Sequence, residues 1–285
     1  MFKLSDHPCF SADCQPNSGR VHLPVAKNCD LFCRFCSRGI NPFLNAPGAT
    51  REVISPQEAL DVISLALKLC PELKVAGIAG PGDPLSGPEA LETLFLIKEA
   101  YPHLLSCLST NGLKLAANME KILLLGLKTV TVTVNAVDPH ILRLLNAGII
   151  WDGKFLGGRI GAQTLIDAQE EGIRLASANS LIVKINFVLA PGINGEHVGE
   201  VARRARDWGA DLLNIIPLIP AGALKDHPAP TPEQIARATQ SAREYLPVKT
   251  NCRHCRADAC GIPGGVDYGP LLYGGAAFGE TFSHG

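Results

Sequence analysis

Strand-like apolar runs alternate with helix-like segments along most of this 285-residue chain, and that alternation constrains its fold more than any other feature. Each run is almost continuously apolar, which is typical of strands that are buried on both faces of a parallel sheet. The predicted strands are 20–25, 75–79, 104–109, 130–134, 181–189 and 212–216. The alternation predicts an α/β fold, here a partial (β/α)6 TIM-like barrel.

The helical segments begin at recognisable capping sequences. Ser55, Pro56 and Glu58 form an S-x-x-E capping box with proline at the first helical position, and Thr231 opens the last helix in a similar way. The predicted helices are 56–69, 88–100, 119–125, 139–145, 160–171, 197–208 and 232–245. Functional residues in such barrels lie at the carboxyl ends of the strands, so the loops that follow the strands are the first place to look for a site.

Charge and hydropathy exclude several classes of partner. The formal net charge of −1 gives no basic surface for nucleic acid or an acidic membrane. Residues 1–15 lack the apolar core of a signal peptide, and no run of about 18 apolar residues could cross a membrane. We therefore expect a cytoplasmic protein without nucleic acid or membrane among its partners. Its 10 cysteines are then better explained as metal ligands than as disulfides, because the cytosol keeps thiols reduced.

Three of these cysteines follow the first predicted strand in a C-x3-C-x2-C pattern, formed by Cys29, Cys33 and Cys36. Three thiolates can hold three irons of a [4Fe-4S] cubane and leave the fourth iron open to a small molecule. The pattern could also belong to a zinc site, which favours two separated pairs, to a redox dithiol or to plain buried cysteines. With aromatic Phe35 between the last two cysteines, the loop resembles that of the radical S-adenosylmethionine (SAM) superfamily.

That resemblance implies SAM as cofactor and assigns binding roles to residues after the next strands. The turn after the second strand looks like the one that contacts the methionyl amino group of SAM in this superfamily, with Asp83 in place of a glutamate. Ser109 and Asn111, after the third strand, look like partners of the ribose hydroxyls. Asn135, after the fourth strand, could help to hold the methionyl end. Ordinary strand-to-helix turns also favour Gly, Pro, Asn and Asp, so these residues could equally have a purely structural role. The predicted cofactor-binding residues are Phe35, Gly80, Pro81, Gly82, Asp83, Ser109, Asn111 and Asn135.

Further cysteines stand in two segments without a helix or strand pattern. Cys9 and Cys14 lie in residues 1–18, and Cys252, Cys255 and Cys260 lie within nine residues near the other end of the chain. Three thiols so close together again favour a cluster, although they could also bind zinc. Together with the His-Pro-Cys sequence at 7–9 and the run into the cysteine loop, this pattern resembles the nitrogenase cofactor maturases, over residues 5–265.

The resemblance to these maturases implies a specific reaction. Two additional [4Fe-4S] substrate clusters would be fused into an eight-iron cofactor precursor, with a central carbide derived from a SAM methyl group and with an added sulfide. The implied reaction transfers the methyl group to a cluster sulfide and cleaves a second SAM reductively. The implied partners are Fe-S cluster donor proteins, cofactor carrier or scaffold proteins of nitrogenase assembly, and an electron donor such as ferredoxin.

The same resemblance assigns metal ligands residue by residue. Cys29, Cys33 and Cys36 match the radical cluster. One substrate cluster takes His22, Cys9 and Cys107, and the other takes Cys252 and Cys255, with Cys260 and Cys14 as possible additional ligands. Cys70 is expected to be structural. Catalytic roles are expected for Cys107, Glu52 and Asp83. Glu52 and Asp83, together with Asp138, are the candidate proton acceptors. Arg253 and Arg256 are expected either to neutralise the negative charge of the clusters or to be exposed charges.

The resulting domain prediction has four parts: an N-terminal cluster-binding extension (1–19), the barrel (20–248), a Cys-rich cluster-binding segment (249–265) and a flexible Gly-rich tail (266–285). The chain looks like the stand-alone form of the family. Two different functions stay open at this point. A radical enzyme acting on an organic substrate would use one auxiliary cluster, and a non-catalytic Fe-S carrier would cleave no SAM.

Overall fold

The computed structural model describes residues 7–10, 18–37, 40–249 and 255–274. Eleven strands are assigned within these ranges: β1 Gly19–His22, β2 Leu31–Cys33, β3 Leu73–Ile78, β4 Leu105–Thr110, β5 Thr129–Thr133, β6 Asn146–Trp151, β7 Lys154–Gly157, β8 Ile182–Leu189, β9 Leu212–Pro217, β10 Val248–Lys249 and β11 Cys260–Gly261. Eight α-helices accompany them: α1 Pro56–Leu69, α2 Glu89–Ala100, α3 Met119–Leu124, α4 Pro139–Leu145, α5 Gly158–Ala178, α6 Val198–Trp208, α7 Pro232–Arg243 and α8 Gly269–Leu272.

The main sheet has eight strands in the order β10-β9-β8-β5-β4-β3-β1-β11. All neighbours pair in parallel except β11, which runs antiparallel to β1. Strands β10 and β11 end the sheet without pairing to each other, so the barrel is partial. The predicted α/β fold and all six predicted strands are confirmed, with boundaries that differ by a few residues.

Alternation along each strand separates two environments. One set of side chains packs under the helices and forms a continuous apolar core, in which Ile78, Leu108, Val132 and Phe187 are almost inaccessible to solvent. The other set faces the inside of the barrel and includes buried polar side chains, among them Arg20, His22, Lys184 and Asn214. In the part of the chain that the structure covers, no helix is both long and apolar enough to cross a membrane.

The capping box at α1 forms as expected. The Ser55 hydroxyl accepts a hydrogen bond from the Glu58 backbone N–H at 3.3 Å, and the Glu58 carboxylate accepts one from the Ser55 N–H at 2.7 Å. These bonds satisfy two backbone donors that would otherwise lack partners at the helix start. Thr231 and Gln234 form the same reciprocal pair at α7.

We expect the Ser55→Ala substitution to lower the free energy of unfolding by about 1 kcal/mol, because it leaves a helical N–H without its partner. Urea denaturation of the metal-free protein under reducing conditions measures the change. Ser64→Ala is the matched control, since Ser64 lies inside the same helix, where alanine is a good helix former. An equal loss in both variants would contradict the capping role.

Two parts of the fold were not predicted. Strands β2, β6 and β7 form a separate antiparallel sheet, in which the cysteine loop pairs with a hairpin at 146–157. The C-terminal segment is also more regular than expected. Its β11 extends the main sheet, and buried Tyr273 donates a hydrogen bond to the His22 carbonyl at 2.7 Å. Residues 266–273, the start of the predicted flexible tail, thus include α8 and contact the barrel through Tyr273.

Candidate active site

A cavity of about 260 Å³ opens at the carboxyl ends of the parallel strands. Cys29, Cys33 and Cys36 line it from one side, and loops after several strands line it from the others. Most of the predicted cofactor-binding residues share this lining, namely Phe35, Pro81, Gly82, Asp83, Ser109, Asn111 and Asn135. Gly80 is not among the lining residues, but it belongs to the same turn. The rest of the lining is mainly apolar, so the cavity is suited to an organic ligand with a few polar groups.

Backbone contacts hold the cysteine loop in place. Cys33 pairs with Asn146 of β6, and the Arg34 N–H donates to the Leu145 carbonyl at 2.8 Å. The Cys36 N–H closes a turn onto the Cys33 carbonyl at 3.2 Å. Gly222 lies in the loop after β9, and a side chain there would meet the Cys36 carbonyl oxygen at 2.7 Å. Glycine at this position therefore lets the loop after β9 pass close to the backbone of the cysteine loop.

The turn after β3 is joined to the start of the cysteine loop. The Gly82 N–H donates to the Ala26 carbonyl at 2.6 Å, and the Asp83 N–H donates to the Asn28 carbonyl at 2.7 Å. A side chain on Gly82 would collide with the Asn28 carbonyl oxygen. Only glycine therefore permits this approach of two backbones, which places the turn and the loop on the same cavity.

Asp83 fixes the turn to the end of β4. Its carboxylate accepts hydrogen bonds from the Leu85 N–H at 2.9 Å, the Asn111 N–H at 2.6 Å and the Thr110 hydroxyl at 3.0 Å. Burial raises its pKa to about 6, although these hydrogen bonds oppose the rise. With both oxygens engaged, Asp83 is built to position neighbouring groups, and its predicted role as a proton acceptor has no support in this geometry.

We expect the stability difference between the protein and its Asp83→Asn variant to depend on pH. The folded-state pKa of about 6 lies above the unfolded value near 4, so the folded protein binds the extra proton between these values. The stability that this proton supplies, roughly 3 kcal/mol, is complete below pH 4 and is lost as the pH rises through 6. The variant cannot make this contribution.

Urea denaturation of both metal-free proteins from pH 4 to 7 tests the expectation. Contributions from other groups, such as the buried histidines, cancel in the difference. The advantage of Asp83 should be largest near pH 4 and should shrink toward pH 7. A difference that is constant over this range would contradict the assigned pKa.

A second group of potential ligands lies deeper in the barrel. His22 of β1 and Cys107 of β4 flank Gly77 of β3, where an added side chain would meet the Cys107 sulfur at 3.0 Å and the His22 ring at 3.3 Å. Cys107 stands two residues before cavity-lining Ser109 on the same strand, so this group is about 7 Å below the cavity floor. The missing side chain of Gly77 leaves space between the two potential ligands.

Cys9 and Cys255 join this group from the two ends of the chain. Burial raises the pKa of Cys107 to about 12 and also raises that of Cys255, and the charge of Cys9 raises both further. The Arg20 guanidinium donates to the Cys255 sulfur at 3.1 Å. The structure thus brings together Cys9, His22, Cys107 and Cys255, which come from distant parts of the sequence.

His22, the histidine in this group, has a defined tautomer. Its Nδ1 lies 2.9 Å from the Arg256 carbonyl oxygen, which can only accept, so Nδ1 carries the proton. Burial and the nearby Arg20 charge lower its pKa to about 4, so the ring is neutral at pH 7. The lone pair of Nε2 is therefore available for a metal.

Buried cations hold the segment that carries Cys9. Lys184 donates to the Cys9 carbonyl at 3.2 Å, and Lys249 donates to the Pro8 carbonyl at 3.1 Å. His7 accepts a hydrogen bond from the Cys9 N–H on Nδ1 at 3.2 Å, so its Nε2 carries the proton. Among the described residues, this buried Nε2–H and the Arg20 Nε–H have no hydrogen-bond acceptor. Sequence reasoning missed Arg20 and Lys184, although Arg20 shares a strand face with His22.

Several predicted site residues lie elsewhere. Cys260 is buried on the helix side of the sheet, where it pairs with Val21 and has Cys70 as a neighbouring thiol, so it is not among the grouped ligands. Glu52 accepts a hydrogen bond from the Gly274 N–H at 3.2 Å and is not part of the cavity lining. Cys14, Cys252 and Arg253 lie outside the described residues.

Arg256 is enclosed by acceptor groups of the protein. It forms a buried ion pair with Asp258 at 2.7 Å and donates to backbone carbonyls of residues 41 and 44. The prediction of an exposed charge is wrong for Arg256, because these acceptors enclose the guanidinium. Asp138 caps α4, where its carboxylate accepts from the His140 N–H at 2.7 Å.

The donor atoms do not converge as they would around a single ion. Within the described ranges, no three His, Cys, Asp or Glu side chains surround one point at metal-ligand distance. A cubane does not need such convergence, because each ligand binds a different iron at a separate corner. The three thiols of the cysteine loop, which share one cavity and form no disulfide, fit a cluster of that kind.

The partial barrel and its three-thiol loop define a class, the radical SAM proteins. Residues 23–205 match the radical SAM superfamily. A radical SAM methyltransferase from Sphaerobacter thermophilus has a similar fold, with a TM-score of 0.57 and 19% identity over 80% of this chain and 64% of that one. SuiB from Streptococcus suis bound to SAM also gives a TM-score of 0.57, with 12% identity over 92% of this chain and 62% of that one. Membership of the superfamily implies a [4Fe-4S] cluster and SAM.

Closer relatives identify the branch of this superfamily. The FeMo cofactor biosynthesis protein NifB of Methanocaldococcus infernus is 43% identical over 261 residues, which are 91% of this chain and 86% of the relative. NifB of Klebsiella pneumoniae is 38% identical over 270 residues, which are 92% of this chain and 58% of that protein. The chain belongs to the NifB family.

Proposed function

We propose that this chain is a maturase that fuses two [4Fe-4S] clusters, with a carbide derived from SAM and an added sulfide, into the eight-iron precursor of the nitrogenase cofactor. The observation that carries the proposal is the second group of ligands, Cys9, His22, Cys107 and Cys255, one interior layer below the SAM cavity. A radical enzyme that acts on an organic substrate would use such ligands for one auxiliary cluster, and the membership of the NifB family favours substrate clusters instead. Here they would hold substrate clusters beneath the SAM methyl group.

The residues of the cavity suit the resident cofactors. Cys29, Cys33 and Cys36 would hold the radical cluster, which when bound supplies the electron that cleaves SAM to an adenosyl radical. The turn of Gly82 and Asp83 would offer backbone groups to the methionyl end, and Asn135 lines the same cavity. The apolar walls exclude water and so limit side reactions of a radical.

The deeper group suits anionic clusters as substrates. Two buried N–H donors, on His7 and Arg20, have no acceptor within the described ranges, and each would find one in a cluster sulfide. Arg20 and Lys184 would offset the negative charge that several thiolates and sulfides bring into a buried place. A histidine ligand is released more easily than a thiolate, which suits a cluster that must leave as product.

The proposed function also implies partners. Cluster donor proteins would load the deeper group, and a carrier protein would receive the product. We propose Cys107 as both a ligand and a catalytic residue, because it faces the cavity floor from below. Cys252 and Cys14 stay predictions as further ligands.

Anaerobic reconstitution tests the proposal. We expect about twelve irons per chain, enough for three cubanes. After reduction in the presence of SAM, both S-adenosylhomocysteine and 5′-deoxyadenosine should form, because one SAM donates the methyl group and a second supplies the radical. Four to eight irons, roughly one or two cubanes, with 5′-deoxyadenosine alone would instead indicate a radical enzyme with an organic substrate. Bound clusters without any SAM cleavage would indicate a carrier.

A further inference from the structure

The C-terminal segment holds His22 at three points. The Ala259 carbonyl accepts a hydrogen bond from the His22 N–H at 2.8 Å, and the Tyr273 hydroxyl donates to the His22 carbonyl at 2.7 Å. The third contact is the one between Nδ1 and the Arg256 carbonyl at 2.9 Å. The hydrogen bond of one ring nitrogen decides where the proton lies, so the open lone pair on Nε2 depends on this one carbonyl.

The Arg256 carbonyl belongs to a tight turn at residues 256–259. The Ala259 N–H donates to the same carbonyl at 3.3 Å and closes the turn. Cys255, another member of the deeper ligand group, comes directly before it. The position of this turn therefore affects two of the four grouped ligands, His22 through a hydrogen bond and Cys255 through the chain.

A buried carboxylate, that of Asp258, fixes the turn from within. Its two oxygens accept hydrogen bonds from the Arg256 guanidinium at 2.7 and 3.0 Å, so the pair is bidentate. One of these oxygens also accepts from the Arg51 N–H at 2.6 Å and lies 2.9 Å from the Arg51 guanidinium. Asp258 has no exposed surface, so it neutralises two cations in a place where water cannot.

The same ion pair anchors the turn to the wall of the SAM cavity. Arg256 donates to the Asn41 carbonyl at 3.1 Å and to the Leu44 carbonyl, and the N–H of residue 257 donates to the Ala49 carbonyl at 2.8 Å. Leu44 and Ala49 line the cavity. One buried network thus joins a cavity wall to the turn beside the deeper ligand group.

We propose that Asp258 is a positioning residue for the ligand His22. Its pairing with Arg256 and Arg51 holds the Arg256 carbonyl in place, and that carbonyl imposes the His22 tautomer that presents Nε2 to a substrate cluster. The inference rests on the proposed function, which makes His22 a cluster ligand, and deepens it by assigning a role to an acid that touches no ligand atom. Because Asp258 acts through the protein, its effect should be present before any cluster binds.

The Asp258→Asn variant of the metal-free protein tests this role. Asparagine has nearly the same shape but no charge and one acceptor oxygen, so the guanidinium groups lose their bidentate partner and the Arg256 carbonyl is released. NMR of protein with isotopically labelled histidine nitrogen shows which ring nitrogen carries the proton, and the His22→Asn variant identifies the His22 signals. A ring without the carbonyl bond carries its proton mainly on Nε2. We expect the Nδ1–H form to dominate in the unchanged protein and the Nε2–H form in Asp258→Asn.

Asp267→Asn is the matched control. Asp267 lies in the same segment, and one of its oxygens accepts from the Cys260 and Gly269 N–H groups at 2.9 and 3.0 Å. The variant makes the same chemical change at another carboxylate that binds the backbone, and it should keep the Nδ1–H form of His22. An equal shift of the tautomer in this control would indicate general loosening of the segment and would overturn the role of Asp258.

Arg256→Lys is a second variant, which also serves if Asp258→Asn does not fold. Lysine keeps the positive charge beside Asp258 but lacks the planar fork that binds both carboxylate oxygens and the carbonyls of the loop at 41–44. The Nε2–H form of His22 should therefore increase here as well. An unshifted tautomer in folded Asp258→Asn or in folded Arg256→Lys would overturn the positioning role.

Reconstituted protein separates this inference from the proposed function. Pulsed electron paramagnetic resonance of the unchanged protein should show a histidine nitrogen coupled to a reduced cluster, and Asp258→Asn should lose most of this coupling. Absence of the coupling in the unchanged protein would count against His22 as a ligand, and so against the proposed function, whatever the metal-free tautomer is. Equally strong coupling in Asp258→Asn would overturn the inference and leave the proposed function intact.

Discussion

Substitution of Cys33 by alanine is expected to reduce 5′-deoxyadenosine formation to background and to remove about four of about twelve irons. Cys33 lies at the centre of the C-x3-C-x2-C loop and lines the SAM cavity together with Cys29 and Cys36. A cubane held by only two thiols would have two open irons and would be lost or degraded. Iron analysis and product chromatography after anaerobic reconstitution measure both effects.

Cys70→Ala is the control for this substitution. Cys70 is buried at the end of α1, where its sulfur contacts the Glu72 carboxylate at 3.8 Å, and it does not line the cavity. Its variant should retain full iron content and nucleoside formation if it folds. Continued formation of 5′-deoxyadenosine by the Cys33 variant would rule out the radical cluster assignment.

The sequence was sufficient for the barrel because each predicted element depended on a local signal. Apolar runs of strand length and capping sequences such as Ser55 to Glu58 act over a few residues, so they can be recognised without tertiary information. The hairpin at 146–157 also has such a signal, although it was not predicted. Asp152 and Gly153 both have positive φ and form its two-residue turn, and Asp-Gly between strand-like runs is typical of this turn.

The deeper ligand group could be predicted only in part. A family resemblance supplied the residue types at Cys9, His22, Cys107 and Cys255, but no local pattern says which thiols of a Cys-rich segment face the barrel interior. Cys260 shows the difficulty. Cys260 is only five residues after Cys255. Because it lies in β11 opposite Val21 of β1, its side chain points to the helix-covered face of the sheet and away from the barrel interior. That pairing joins residues about 240 positions apart, so only the fold decides it.

Charged residues near the site raise the same problem. Arg256 follows Cys255 directly and was expected either to neutralise a cluster or to be exposed, yet its ion pair with Asp258 and its backbone acceptors enclose it. Arg20, for which the sequence predicted no role, donates to the Cys255 sulfur instead. A guanidinium needs partners wherever it is buried, and the fold determines whether those partners are protein carboxylates or ligand thiolates.

Substitution of His22 by asparagine is expected to abolish formation of the eight-iron product while 5′-deoxyadenosine formation continues. His22 presents the free lone pair of Nε2 to the space beside Gly77, because its Nδ1–H donates to the Arg256 carbonyl. An asparagine amide can donate to the same carbonyl, so the local structure should persist. The variant lacks only the ligand nitrogen, and one substrate cluster, about four irons, should be lost.

His22→Cys is the informative second variant, because a thiolate can replace the imidazole as an iron ligand. It should recover the iron content that His22→Asn loses, but its product should leave more slowly, since a thiolate holds iron more tightly. Iron analysis, electron paramagnetic resonance of the reduced clusters and transfer of the product to a carrier protein distinguish the three proteins. Unchanged iron content, spectra and product yield in His22→Asn would reject His22 as a ligand, and the ligand group would then consist of thiols alone.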